Sequence, residues 1–488
     1  MRRIISVILV AIIMANLLVF SASAQQAKYS DTVFTVENIA KGDSLSDSDR
    51  KTYTTVKKDT TITLERQDGI AHIYIEFDRL PTGWSLVVDG NSTECGKENF
   101  LHDYVDVKKL TGNTPAKVEL KFPENTVIAD IYAFSEGELP DFVQVWNAPC
   151  EKADLLLISS HSDDEQLFFA GVLPYYAIER KLNVQVAYIV QHFELDGQQN
   201  HSRPHEQLDG LWTVGVKNYP VISDFPDVYS ESKDRDTAFK EAEEAFGEKG
   251  VTYDDFKAYI TGLIRRFKPL VVVSHDLNGE YGHGTHVFCA SALTEAVLLA
   301  QEKENYPQSA QEYGVWQTQK VYLHLYDTNK IIMDWDKPLE SLGGKTAFQK
   351  TQEGFDCHKS QHWTWFYNWI YGKNNQITKA SQIEKYSPCE YGLFYTTVGV
   401  DVTGGDFMEN VISHSELEAQ QSKPDEPMTE ESTETESYEQ QPQTIENGRY
   451  YKNAIIFIAV FAIGVSIALI IVLCVRRVKI GEKGRFDK

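Results

Sequence analysis

The sequence predicts an α/β protein: a doubly wound parallel sheet, preceded by a small β-sandwich and followed by a C-terminal transmembrane helix. Three observations predict it. Residues 28–145 carry short alternating apolar runs such as "IAHIYIEF" and "AKVELKF", separated by turn clusters, the pattern of antiparallel strands. After residue 150 the period changes to continuous apolar runs alternating with helical segments, which is how a sheet covered on both faces reads. Residues 454–475 then run without a charge, and at the helical rise they reach about 33 Å, enough for a bilayer core.

Taken in order, the chain opens with Met1-Arg2-Arg3, an apolar stretch and "SASA", so residues 1–24 are expected to be a cleaved signal peptide. Residues 25–150 are the expected β-sandwich domain. Residues 151–400 form the expected α/β domain. In it, residues 153–160, 184–190 and 270–275 read as buried strands, and residues 165–181, 206–214, 253–267 and 287–301 as helices. Residues 413–450 are rich in Glu, Gln, Ser, Thr and Pro and are expected to be a disordered acidic stalk. Arg476, Arg477 and Lys479 follow the apolar run directly, so residues 476–488 read as a basic cytoplasmic tail. The expected placement is a single-pass protein of the cell membrane, with the folded part extracellular. A net charge of −24 excludes nucleic acid as a partner. Cys95–Cys150 and Cys357–Cys389 are the expected disulfides, leaving Cys289 free on an apolar helix.

The chemistry lies at two strand ends. In open parallel sheets ligands collect at the carboxyl ends of strands. One predicted strand ends in His161-Ser162-Asp163-Asp164-Glu165, and another in "SHDLNGEYGHGTH", residues 274–286. Like charges crowd a buried strand end only where a cation is near. His161 and Asp164, three apart at a strand-to-helix turn, can reach one point, and His286 completes a His₂Asp face. Zinc on three protein ligands keeps a position for water. Asp163 then stands beside that water as a general base, and His283 and Tyr281 are placed to polarise a developing oxyanion. The plainer reading of Asp163 and Asp164 is a helix N-terminal cap, and the second His pair tips the balance toward a metal. Residues 358–365 form an aromatic-rich patch, read first as packing and second as a surface for stacking a sugar.

"HSDDE" with the later "GEYGHGTH" resembles the PIG-L/LmbE-like family of zinc-dependent N-acetylglucosamine deacetylases. Residues 203–206 ("RPHE"), residues 320–326 ("KVYLHLY") and residues 358–361 ("HKSQ") resemble that family's middle motif, late strand and late H-x-S-Q, so the similarity covers about residues 153–361. The resemblance implies a Rossmann-like catalytic domain holding Zn²⁺ or another divalent metal on His161, Asp164 and His286. It also implies Asp163 as base, His283 as electrostatic partner of the oxyanion, Tyr281 as a substrate-side donor, and Arg203 and Glu206 as substrate-pocket residues. The implied activity is removal of acetyl groups from an N-acetylglucosamine-containing glycan, which the outward orientation makes an extracellular one. The alternative is a carbohydrate-binding or adhesion protein on a degenerate deacetylase scaffold. The sequence departs from the family pattern at Ser162, where the family has proline, and at Gly284-Thr285, where the family has proline and aspartate. Without a carboxylate at Thr285, the anion that would favour a charged His283 is missing from the motif.

Overall fold

A computed structural model describes residues 25–36, 42–195, 198–232 and 234–421. Nine short strands account for the region between Val33 and Phe134. Five form one antiparallel sheet in the order Val33–Val36, Thr61–Glu65, Lys117–Lys121, Trp84–Val88, Asn91–Cys95. Four form another, ordered Thr54–Val56, Thr126–Phe134, His72–Phe77, His102–Asp106. Alternate side chains such as Ile62 and Leu64 on the first sheet and Ile73 and Ile75 on the second are fully buried in one shared core. That alternation is what one buried face of a pleated sheet requires.

The second part is a seven-stranded sheet ordered Val221–Ile222, Val184–Tyr188, Leu155–Ser159, Val271–Ser274, Lys320–His324, Glu390–Thr396, Lys330–Ile332. The first five strands are parallel and the last two antiparallel. Leu155 and Leu157 enter one apolar core while Leu156 and Ile158 enter the other, so both faces are buried and the strand reads as a continuous apolar run. The helix Tyr253–Phe267 covers the second face. A capping box starts it, with Asp255 N–H donating to Thr252 Oγ1 at 3.1 Å and Thr252 N–H to Asp255 Oδ2 at 2.9 Å. Its stripe of Phe256, Ile260, Leu263, Ile264 and Phe267 packs against the sheet, beside the helix Gly284–Leu299. The antiparallel sheets join this part through Tyr219, whose hydroxyl accepts from Leu101 N–H at 3.0 Å and whose ring stacks on Phe100 at 4.3 Å.

Several expectations are corrected. The sheet is mixed, because after the fifth parallel strand Glu390–Thr396 pairs antiparallel with both Lys320–His324 and Lys330–Ile332, the helices Ala347–Phe355 and Trp365–Tyr371 lying between the last two strands in the chain. Residues 161–171 are a series of turns and Pro174–Glu179 a short π-helix, in place of one helix over 165–181. Pro174 has no N–H to offer, and Gly171 adopts φ +92°. A Cβ at Gly171 would stand 2.3 Å from the Trp335 ring, so the glycine permits both the turn and the contact. The C-terminal transmembrane helix is not supported. Residues 454–475 lie outside the described residues, and no described helix is long and apolar enough to cross a membrane. The longest described helix, Gly284–Leu299, has 16 residues, about 24 Å, short of a bilayer core of about 30 Å, and it is buried inside the α/β part. The single-pass membrane placement with an extracellular folded part is withdrawn with it. The expected signal peptide, residues 1–24, also lies outside the described residues. The expected stalk begins with an ordered segment: the helix His414–Gln421 docks through His414 N–H on Asp154 Oδ1 at 2.7 Å, and residues 422–450 lie outside the described residues. All five cysteines among the described residues are free thiols. Cys95 faces Thr93 O, Cys357 faces Thr213 Oγ1 and Cys289 faces Ser274 Oγ, so neither expected disulfide forms.

Candidate metal centre

The adjacent parallel strands Leu155–Ser159 and Val271–Ser274 deliver the two His-bearing loops to one place. Ser160 N–H donates to His275 Nε2 at 2.8 Å, tying the loops together at their roots. Three side-chain atoms then converge. His161 Nδ1 lies 3.1 Å from Asp164 Oδ2 and 3.1 Å from His286 Nε2, and His286 Nε2 lies 3.2 Å from Asp164 Oδ2. All three residues are buried.

The outer nitrogens decide what this cluster needs. His161 Nε2–H donates to Asp227 Oδ1 at 2.9 Å, and His286 Nδ1–H donates to Glu280 Oε2 at 2.7 Å. A neutral ring at either position would turn a lone pair inward, leaving two nitrogen lone pairs and a carboxylate oxygen facing one another with no hydrogen between them. Such a cluster demands positive charge. In protons alone, burial lowers His161, and the carboxylates of Asp227 and Asp164 overcome it and push the ring up to about 10. Burial likewise lowers His286, and Asp164 and Glu280 push it up to about 9. A divalent cation satisfies the same demand, since the nitrogen and oxygen ligands of a tetrahedral zinc stand about 3.3 Å apart. The residues present fit the metal. Two overlapping groups qualify on distance, His161 with His283 and His286, and Asp164 with His275 and His286. His275 is the weaker donor, because its Nε2 lone pair already accepts from Ser160 and its Nδ1–H donates to Glu280 Oε2 at 2.9 Å.

Glu280 and Asp227 carry no role in the sequence reading, yet they hold the rings. Glu280 is fully buried, and its oxygens meet His286, His275 and His324, the last at 2.6 Å. Burial alone would raise its carboxyl; contact with the imidazoles, His275 foremost, holds it well below the usual carboxylate range. Carboxylates behind metal-ligating imidazoles fix tautomer and orientation, and losing one typically costs 10–100-fold in metal affinity. Glu280→Gln is therefore expected to weaken divalent-metal binding by about 10–100-fold, read by competition with a chromophoric chelator. Unchanged affinity would remove Glu280 from this role. Asp227 answers the Thr285 departure. Its Oδ1 lies 3.4 Å from His283 Nε2 as well as on His161, so the carboxylate missing from the motif arrives from another loop. Thr285 holds that loop: its Oγ1 accepts from Val228 N–H at 2.8 Å and donates to Pro226 O at 3.3 Å.

Asp163 sits beside the cluster in a strained conformation, φ +108°, which non-glycine residues rarely adopt. Its surroundings over-determine it. Its N–H donates to Glu165 Oε2 at 2.9 Å, while Arg203 Nη2 reaches Ser162 O at 2.9 Å and Asp163 Oδ1 at 3.3 Å. Oδ2 is buried with no hydrogen-bond partner. Burial pushes the carboxyl up to about 6, with the Arg203 guanidinium opposing it. Tyr281, also at positive φ (+50°), packs its ring 5.4 Å from His283 and 5.6 Å from His286. His283 Nδ1 is buried without a partner; burial, then His161 and His286, holds the ring well below its ordinary value. Of the two expected pocket residues, Arg203 touches Asp163. Glu206 does not face the cluster: its carboxylate accepts from Ser360 N–H at 2.9 Å and from the Ser360 hydroxyl at 2.5 Å, joining the middle motif to the late H-x-S-Q.

Fold and cluster together define an α/β protein with a histidine–carboxylate site able to hold a divalent metal at its strand ends. Residues 156–297 match the family described as PIG-L: GlcNAc-PI de-N-acetylase, and the chain carries a domain of the PIG-L/LmbE-like family. Among curated proteins it is 25% identical over 189 residues to the 1D-myo-inositol 2-acetamido-2-deoxy-alpha-D-glucopyranoside deacetylase 1 of Catenulispora acidiphila, covering 36% of this chain and 56% of that one. It is 25% identical over 181 residues to the like-named deacetylase of Geodermatophilus obscurus, covering 34% and 60%. The chain thus spans little more than half the length of these relatives. Among solved structures, the N,N'-diacetylchitobiose deacetylase from Pyrococcus horikoshii is 15% identical, covers 50% of this chain and 84% of that one, and superposes with a TM-score of 0.35.

Proposed function

We propose that the protein is a metal-dependent N-deacetylase that removes acetyl groups from an N-acetylglucosamine-containing glycan. The observation that carries this reading is Asp163, a buried, strained carboxylate with an unpartnered oxygen next to a His₂Asp cluster. Strain of this kind costs of order 1–3 kcal/mol and persists where a function needs it. His161, Asp164 and His286 would hold the ion; when bound, a zinc or other divalent ion supplies Lewis acidity and brings the pKa of a water in its open position to about 7.

The chain's own residues do the rest. Asp163 Oδ2 accepts a proton from the attacking water as the water oxygen bonds to the acetamide carbon. His283, when protonated with Asp227 balancing its Nε2–H, offers a donor at the unpartnered Nδ1 to the oxyanion that develops on the carbonyl oxygen, and the Tyr281 hydroxyl offers a second. Arg203 keeps the Asp163 backbone and carboxylate aimed. As the carbon–nitrogen bond breaks, the proton held by Asp163 passes to the departing nitrogen, giving acetate and a free amino sugar. The 25%-identical relatives, named as deacetylases of an acetamido sugar, support the substrate class.

Acetate release from N-acetylglucosamine oligomers tests the reading. The protein is expected to release acetate, to stop on chelation and to recover on adding zinc. Binding of the oligomers without acetate release, unaffected by chelation, would establish instead the carbohydrate-binding reading on a degenerate scaffold.

A further inference from the structure

The patch over residues 358–365 divides in the structure. His358 is fully buried beside Glu165, with Nε2 3.4 Å from Oε1. Trp363 is 85% exposed and Trp365 45% exposed. Trp365 packs edge-on against Tyr281 at 5.7 Å and lies tilted against Phe366 at 4.3 Å. On another side of Tyr281, Tyr229 is 58% exposed, 6.4 Å from the Tyr281 ring and 5.9 Å from His283. Aromatic rings therefore run without a break from the proposed catalytic imidazole out to solvent in two directions. Scattered exposed aromatics need no explanation, but a cluster contiguous with a reactive site marks a ligand surface. Phe366 and the buried Phe168 already fill the packing role beneath Tyr281, so burial does not explain the outer rings.

We propose that Tyr229 and Trp365, with the exposed Trp363 two residues before it in the chain, are stacking platforms for the sugar units flanking the acetamido sugar that is cleaved, so that the substrate is an N-acetylhexosamine oligosaccharide. This rests on the deacetylase reading and extends it to substrate class. A pyranose presents a face of C–H groups and an edge of hydroxyls. The C–H face suits the electron-rich face of an aromatic ring, and the hydroxyl edge can stay in water at an open mouth. The charge of the surroundings narrows the class further. The half-exposed Asp227 carboxylate, which meets His161 and His283, disfavours a polyanionic glycan there, whereas a neutral chain, or the cationic chain left by deacetylation, is accepted.

The test compares N-acetylglucosamine dimer and tetramer as substrates of the full chain. Trp365→Ala and Trp363→Ala are expected to raise KM for the tetramer about tenfold more than KM for the dimer, the size of one aromatic stacking contact. Trp365→Phe, which keeps a ring, is expected to recover most of the tetramer preference. The high exposure of Trp363 makes its variant a folding-neutral check. Equal effects on dimer and tetramer overturn the platform. If the wild-type protein deacetylates neither, the deacetylase reading fails, and the platform is then read separately by tryptophan fluorescence. Quenching by the tetramer that disappears in both alanine variants supports it, and quenching unchanged in them overturns it.

Discussion

Asp163→Asn is expected to lower kcat for acetate release by about 10²–10⁴-fold while leaving metal content unchanged. The amide keeps the shape of the side chain, and its oxygen can still accept from Arg203 Nη2, now 3.3 Å from Oδ1. What it loses is the ability to take a proton at Oδ2, the buried atom with no partner. A helix cap would behave differently, because asparagine caps as well as aspartate does. A companion variant separates strain from chemistry. Asp163→Gly removes the penalty of φ +108° and of a buried carboxylate, so it is expected to raise the melting temperature while abolishing turnover. Turnover of Asp163→Asn close to wild type would exclude this residue as the base. A lowered melting temperature for Asp163→Gly would show that the backbone is not strained there.

His286→Ala is expected to abolish both metal binding and turnover. The imidazole is fully buried, supplies one of the three converging atoms, and is held by Glu280 through Nδ1 at 2.7 Å. Its loss leaves Asp164 and His161 to hold an ion alone. The linkage between binding and folding gives an independent readout: an ion that binds the folded chain alone, present at about 1,000 times its Kd, adds about 4 kcal/mol of stability. Chelation should therefore destabilise the wild-type protein by about that amount and leave His286→Ala unmoved. A variant that keeps a full equivalent of metal, or a wild-type protein indifferent to chelation, would place the ion elsewhere.

The parts legible in the sequence were those with local signatures. His161 and Asp164 share one turn at a strand end, and His286 opens a helix just after another strand, so spacing alone brings them together. Asp227 had no such signature. It lies 66 residues from His161, after a strand of two residues, and reaches the site through the loop that Thr285 clamps. Glu280 stood in plain view within "GEYGHGTH", but its role depends on a turn that places one carboxylate against three imidazoles, which no periodicity reveals. The backbone strain of Asp163 leaves no trace in residue type. The helix expected over residues 165–181 failed because apolar content outweighed two breakers, Gly171 and Pro174, in the reading. The pairings expected of the cysteines followed from an assumed oxidising compartment, and the free thiols sit against local acceptors instead.

The most direct measurement is an X-ray absorption spectrum of the metal in the loaded protein, with its content determined on the same sample. Convergence of His161, Asp164 and His286 predicts about one divalent ion per chain, with two imidazole nitrogens and at least one carboxylate oxygen in its coordination shell. No bound ion after loading, or a shell of thiolates or of oxygens alone, would contradict it.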